Sequence, residues 1–70
     1  MTNDEREIEV GDRFIDRDKR NAGRVVQVIA RVGNVARVVV EVHPLNPEAV
    51  GRETRVSVPT LRAHYRRQSR

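Results

Sequence analysis

RVVQVIARVGNVARVVVEVH, residues 24–43, carries the clearest secondary-structure signal in the chain. Its apolar residues, mostly valine, recur at every second position, a period that is typical of half-buried strands and not of helices. Residues 24–32 and 35–43 share one parity, because polar Gln27, Arg31 and Glu41 all occupy odd positions. The pattern predicts two strands whose inward positions are Val26, Val28, Ala30, Val32, Ala36, Val38, Val40 and Val42.

The turn between these strands decides their register. A two-residue turn at Gly33-Asn34 would set an even position against an odd one, with Ala30 opposite Arg37. A three-residue loop, Gly33-Asn34-Val35, or a bulge at the same place keeps both inward faces together and pairs Val28 with Val40. We therefore predict the longer loop.

Weaker patterns on either side indicate three more strands. A short first strand has Ile8, Val10 and Phe14 as its inward set, and residues 53–58 repeat the alternation with Thr54, Val56 and Val58 inward. Residues 43–52 contain two prolines and a glycine, which predicts a loop between the third and fourth strands. Pro59 ends the fourth strand.

The basic segment after Pro59 allows two interpretations. Residues 60–63 are short enough for a single 3₁₀ turn, followed by a last short strand over residues 64–67. A basic helical turn over residues 60–67 is the alternative. We prefer the first, which makes the chain an all-β protein of five short strands with a long charged loop after the first.

This order of elements resembles a small five-stranded SH3-like barrel with a 3₁₀ turn before the last strand. Val10-Gly11-Asp12-Arg13-Phe14, followed by Asn21-Ala22-Gly23-Arg24-Val25-Val26-Gln27-Val28, is similar to the KOW variant of that barrel, which occurs in ribosomal proteins and transcription elongation factors. The likeness covers about half the chain, and Arg20 stands where the family has a glycine. The chain also resembles short arginine-rich proteins of unassigned function in actinobacteria and their phages, and that resemblance implies no activity.

Length and composition limit the chain to a single small domain. Seventy residues without cysteine have neither disulfide nor thiolate-metal staples, which fits a reducing compartment. The polar start of the chain resembles no signal peptide, and no apolar run is long enough to cross a membrane. We expect a cytoplasmic protein with a flexible acidic segment at residues 1–7, the barrel at 8–67 and a basic tail at 68–70.

Charge is distributed unevenly and favours an anionic partner. The net charge is +4; residues 1–9 hold four carboxylates against one arginine, whereas residues 62–70 hold four arginines and no carboxylate. Arginine forms forked contacts with phosphate, so nucleic acid, either RNA or DNA, is the expected partner. The predicted contact residues are Arg17, Lys19, Arg20, Arg24, Arg62, Arg66 and Arg67.

A protein partner is the alternative. In the predicted register Val25, Ile29 and Val39 form an apolar stripe on the outward face, which would suit an adaptor, a phage-type inhibitor of a host protein or a homodimer.

Catalytic and metal-binding functions have little support. Asp16-Arg17-Asp18 begins like a calcium loop, but arginine and glutamine stand at later positions where ligands are required. Two histidines, two serines and no cysteine leave no nucleophile with an evident base. We expect no enzyme activity, no metal and no cofactor.

Overall fold

A computed structural model describes residues 7–68, which form five strands and one helix. Two 3₁₀ turns, Lys19–Asn21 and Pro47–Ala49, lie in the loops that follow the first and third strands. The elements in chain order are β1 (Arg13–Asp16), β2 (Val25–Val32), β3 (Val35–Val42), β4 (Glu53–Ser57), α1 (Val58–His64) and β5 (Tyr65–Arg67).

The five strands form one antiparallel sheet in the order β4-β3-β2-β1-β5. The prediction of a mostly β protein with five short strands is therefore confirmed. The sheet does not close within residues 7–68, because β4 and β5 pair with one neighbour each and remain its two edges. The described structure is an open sheet with a helix between its edge strands, and it does not show the predicted barrel.

The β2–β3 turn contradicts the predicted register. Gly33-Asn34 is a two-residue turn between paired Val32 and Val35, and Gly33 has the positive φ of +58° that such turns require. Ala30 then lies opposite Arg37, the pairing that we rejected. The structure resolves the parity conflict with a bulge at Ile29, four residues before the turn.

Beyond that bulge the even positions of β2 and β3 face each other again. Val28 pairs with Val38 and Val26 with Val40, so both inward faces meet, although Val28 does not pair with Val40 as predicted. Between the bulge and the turn, the side chains of β2 lie on the opposite face of the sheet from the one that the even–odd pattern predicts. For that reason Val32, predicted inward, is 81% exposed.

The core lies on one face of the sheet, under α1. It comprises Ile8, Phe14, Val26, Val28, Ala36, Val38, Val40, Val58 and Leu61. Three further positions predicted inward are exposed: Val10 lies in the turn before β1, Val42 follows a second register shift, and Thr54 lies on the edge strand β4. An open edge has no neighbour to cover such a side chain.

Helix α1 replaces the predicted 3₁₀ turn. Ser57 caps it, because its Oγ accepts a hydrogen bond from the Thr60 backbone N–H, and Pro59 occupies the first turn, where no N–H is needed. Val58 and Leu61 lie three residues apart on one helix face and are both buried. The helix ends at His64, and the predicted last strand follows directly.

Candidate nucleic-acid interface

The β1–β5 edge of the sheet brings the loop after β1 beside the carboxyl end of α1. Asp16 pairs with Tyr65, and one step further the Arg17 backbone N–H donates to the His64 carbonyl at 3.1 Å. Side chains alternate along β5, so Tyr65 and Arg67 turn inward while Arg66 points outward and is exposed. Four of the predicted contact residues lie on or beside this edge: Arg17, Lys19, Arg62 and Arg66.

Arg24 holds the Tyr65 side chain on the inner face of the sheet. The Arg24 guanidinium pairs with the buried Asp16 carboxylate and donates to the Tyr65 hydroxyl at 2.8 Å. Burial raises the pKa of Tyr65, and Arg24 opposes that shift. Because Arg24 is committed to a buried carboxylate and a phenol, it joins β1, β2 and β5 and does not face a ligand.

Arg67 makes the equivalent contact at the other end of β5. Its guanidinium pairs with Asp12 and lies over the Phe14 ring, with the guanidinium carbon 5.2 Å from the ring centroid. The side chains of Arg67 and Asp12 are only 12% and 14% exposed. Two predicted contact residues, Arg24 and Arg67, are therefore largely buried in ion pairs with Asp16 and Asp12.

The loop after β1 is built on its own aspartates. Asp18 caps the 3₁₀ turn, and the Arg20 guanidinium makes a forked contact with it, with Nη2 donating at 2.8 Å. These hydrogen bonds from Arg20 lower the pKa of Asp18 from 3.8 to about 2. Asp16 in turn accepts a hydrogen bond from the Asp18 backbone N–H at 2.8 Å. Both carboxylates thus stabilise the loop through hydrogen bonds. Residues 7–68 contain no cluster of acidic or histidine side chains suited to a metal ion.

Glycine at position 23 lets this loop approach the β3–β4 loop. Its φ is +84°, and a Cβ placed there would lie 2.9 Å from Cγ of Pro44. The loop after β1 is therefore packed against the β3–β4 loop and does not project alone into solvent.

Most carboxylates of the described chain have an arginine of their own. The pairs are Glu7–Arg31, Asp12–Arg67, Asp16–Arg24, Asp18–Arg20, Glu41–Arg13 and Glu53–Arg37. Within residues 7–68, five basic side chains make no such ion pair: Arg17, Lys19, Arg52, Arg55 and Arg66. The surplus positive charge resides on these residues.

Three of these unpaired cations and one further arginine surround the β1–β5 edge. We call Arg17, Lys19, Arg62 and Arg66 the basic edge; all four side chains are exposed, and they come from the loop after β1, from α1 and from β5. His64 is exposed between them. The sequence placed all four cations in the contact set, whereas only the structure separates them from Arg24 and Arg67.

The apolar stripe proposed for a protein partner is less prominent than expected. Val25, Ile29 and Val39 are all partly buried, and Val39 pairs with Gln27 because Ile29 is in the bulge. Ion pairs Arg13–Glu41 and Arg37–Glu53 flank them on the same face. The more exposed apolar side chains lie elsewhere, at Val10, Val32, Val35, Val42, Leu45 and Val50.

Comparison of the chain with protein-family models, with curated proteins and with solved structures finds no match. Among residues 7–68, the helical structure is too short and too polar to cross a membrane.

Proposed function

We propose that this protein is a non-catalytic module that binds nucleic acid through its phosphates, along the basic edge. The observation that carries the proposal is the separation of paired from unpaired charge. Most carboxylates of residues 7–68 pair with an arginine of their own, whereas Arg17, Lys19 and Arg66 at the basic edge make no ion pair and face solvent. Such an array attracts a polyanion and releases its counterions.

The two inward contacts of β5 give this array a fixed geometry. Tyr65 and Arg67 are both held on the inner face, so Arg66 between them must project outward. Arg17 lies two residues after outward-facing Ile15, just beyond the end of β1, and Ile15 pairs with Arg66. Arg17 and Arg66 are then diagonal neighbours across two strands, roughly 7–8 Å apart at the backbone. Arg24 and Arg67 are positioning residues in this account, and they do not touch the ligand.

We also propose that the fold is a relative of the SH3-like barrel with a KOW-like first half. Its support is the strand order β4-β3-β2-β1-β5, together with the short helix α1 between β4 and β5. Gly11 and Gly23, the two glycines of the KOW-like segments, both have positive φ, as turn glycines of a shared motif would.

A salt titration tests the proposed function. We expect a fluorescent DNA duplex to bind the protein at 50 mM salt, and the affinity to fall about 10- to 40-fold by 200 mM if two or three phosphates are neutralised. A peptide nucleic acid of the same base sequence lacks phosphates and serves as the matched control, with no binding expected. Absence of binding at 50 mM to both this duplex and one of its single strands, or binding that salt leaves unchanged, would contradict the proposal.

A further inference from the structure

Both aromatic side chains of the chain are engaged inside the protein. The sequence contains one phenylalanine, one tyrosine and no tryptophan. Phe14 is 3% exposed and lies under the Arg67 guanidinium. The Tyr65 ring packs against the core, and its hydroxyl is bound by Arg24. Phe14 is therefore closed to a ligand, and the partly buried Tyr65 ring is engaged by the core and by Arg24.

Single-stranded nucleic acid is normally held on exposed aromatic rings. Each stacked base contributes roughly 1–3 kcal/mol, and proteins that bind single strands without sequence preference combine several such rings with a basic groove. The one ring at the basic edge is the imidazole of His64, which is exposed and could stack a single base. His43, the other histidine, is buried. The basic edge therefore offers several charges but only one exposed ring, too few for the row of stacked bases that holds a single strand.

We propose that the basic edge selects double-stranded nucleic acid, which it recognises by charge density and not by its bases. This inference rests on the proposed function. Duplex DNA carries one charge per ~1.7 Å of its axis, and each neutralised phosphate contributes a salt slope of about 0.9, against about 0.7 for a single strand. A fixed pair such as Arg17 and Arg66 also suits a regular, stiff duplex, whereas a flexible strand loses conformational entropy when it aligns with them.

The difference in slope sets the size of the effect. For three neutralised phosphates and equal intrinsic affinity at 1 M salt, the duplex is favoured about sixfold at 50 mM and about threefold at 200 mM. A preference that shrinks with salt in this way is the signature of charge density. Stacking would give the opposite order, with single strands favoured and the preference growing as salt rises.

Competition between a 20-base strand and its own duplex, chosen free of self-structure, provides the test, with roughly these preferences expected at 50 and 200 mM salt. His64→Ala serves as the matched variant, and it should change the affinity of both forms by the same small factor. If neither form binds, the proposed function itself fails. Equal affinities, or tighter binding of the single strand that His64→Ala selectively weakens, would overturn this inference while the proposed function stands.

Discussion

Removal of the Asp12 charge should destabilise the fold far more than removal of a carboxylate from an exposed ion pair. In Asp12→Asn the Arg67 guanidinium loses its carboxylate counter-charge, while the Arg67 side chain stays 12% exposed over Phe14. Breaking a buried ion pair from one side costs about 3–5 kcal/mol, and the slight exposure of both groups points to the lower end. A domain of 70 residues has a total stability of about 4–10 kcal/mol, so a loss of about 3 kcal/mol is a large fraction.

Glu53→Gln provides the matched control. It also removes one carboxylate facing an arginine, but the side chains of Arg37 and Glu53 are 52% and 50% exposed. Exposed pairs contribute about 0–1 kcal/mol because solvent screens them. Asp12 also accepts a hydrogen bond from the Glu9 backbone N–H at 2.9 Å, which the Asn Oδ1 can still accept, so burial is the main difference between the two substitutions.

Urea denaturation followed by circular dichroism measures both changes. With a slope of about 1 kcal/mol per molar urea, Asp12→Asn should lower the midpoint by about 3 M and Glu53→Gln by less than about 1 M. A third variant, Arg67→Met, and its combination with Asp12→Asn complete a double-mutant cycle, in which we expect a coupling of about 1.5–3 kcal/mol. Equal midpoint shifts for the two single carboxylate variants, or additive changes in the cycle, would refute the reasoning.

Three further predictions test the loop and the edge. Gly23→Ala should lower the free energy of unfolding by more than about 1 kcal/mol, measured in the same urea assay, because the new Cβ would lie 2.9 Å from Pro44 and the backbone would stay at φ +84°; an unchanged midpoint would show that the two loops are not packed together. NMR should place the pKa of Asp18 near 2, so the stability that its contact with Arg20 contributes is present above about pH 4 and is lost as the pH falls toward 2; Arg20→Gln should return the pKa toward 3.8, and a wild-type value already there would contradict the forked contact. Absorbance at high pH reports the single tyrosine alone, and Tyr65 should ionise above pH 10, so the stability linked to its neutral hydroxyl is fully present below pH 10 and is lost as the pH rises through the raised pKa; ionisation at or below 10 would show a solvated phenol.

Hydrophobic alternation predicted the strands well but not their register. The even positions from Val26 to Val28 and from Ala36 to Val40 are buried as the pattern requires. The bulge at Ile29 left no sequence signal, because isoleucine is a favoured residue of regular strands. Gly33-Asn34 did signal a two-residue turn, and the requirement of strict parity led us to reject it.

Charge pairing was the other feature that local sequence could not show. Arg67 lies 55 residues from Asp12 and appeared to be part of an unopposed basic tail, yet the fold makes it the partner of that aspartate. The same holds for Arg24, whose partners Asp16 and Tyr65 lie in two other strands. A count of charges along the chain identifies which residues are basic, whereas the sheet topology decides which of them remain unpaired.

Charge reversal at the basic edge tests most directly whether the protein binds nucleic acid at that edge. Arg17→Glu with Arg66→Glu should abolish duplex binding at 50 mM salt, while Arg52→Glu with Arg55→Glu, an equal change in net charge at the opposite edge of the sheet, should retain most of it. Thermal melts of both variants confirm that each is folded. We expect duplex binding to be lost in the first variant alone. Equal loss of duplex binding in both variants would show that the protein attracts nucleic acid by net charge without a defined site.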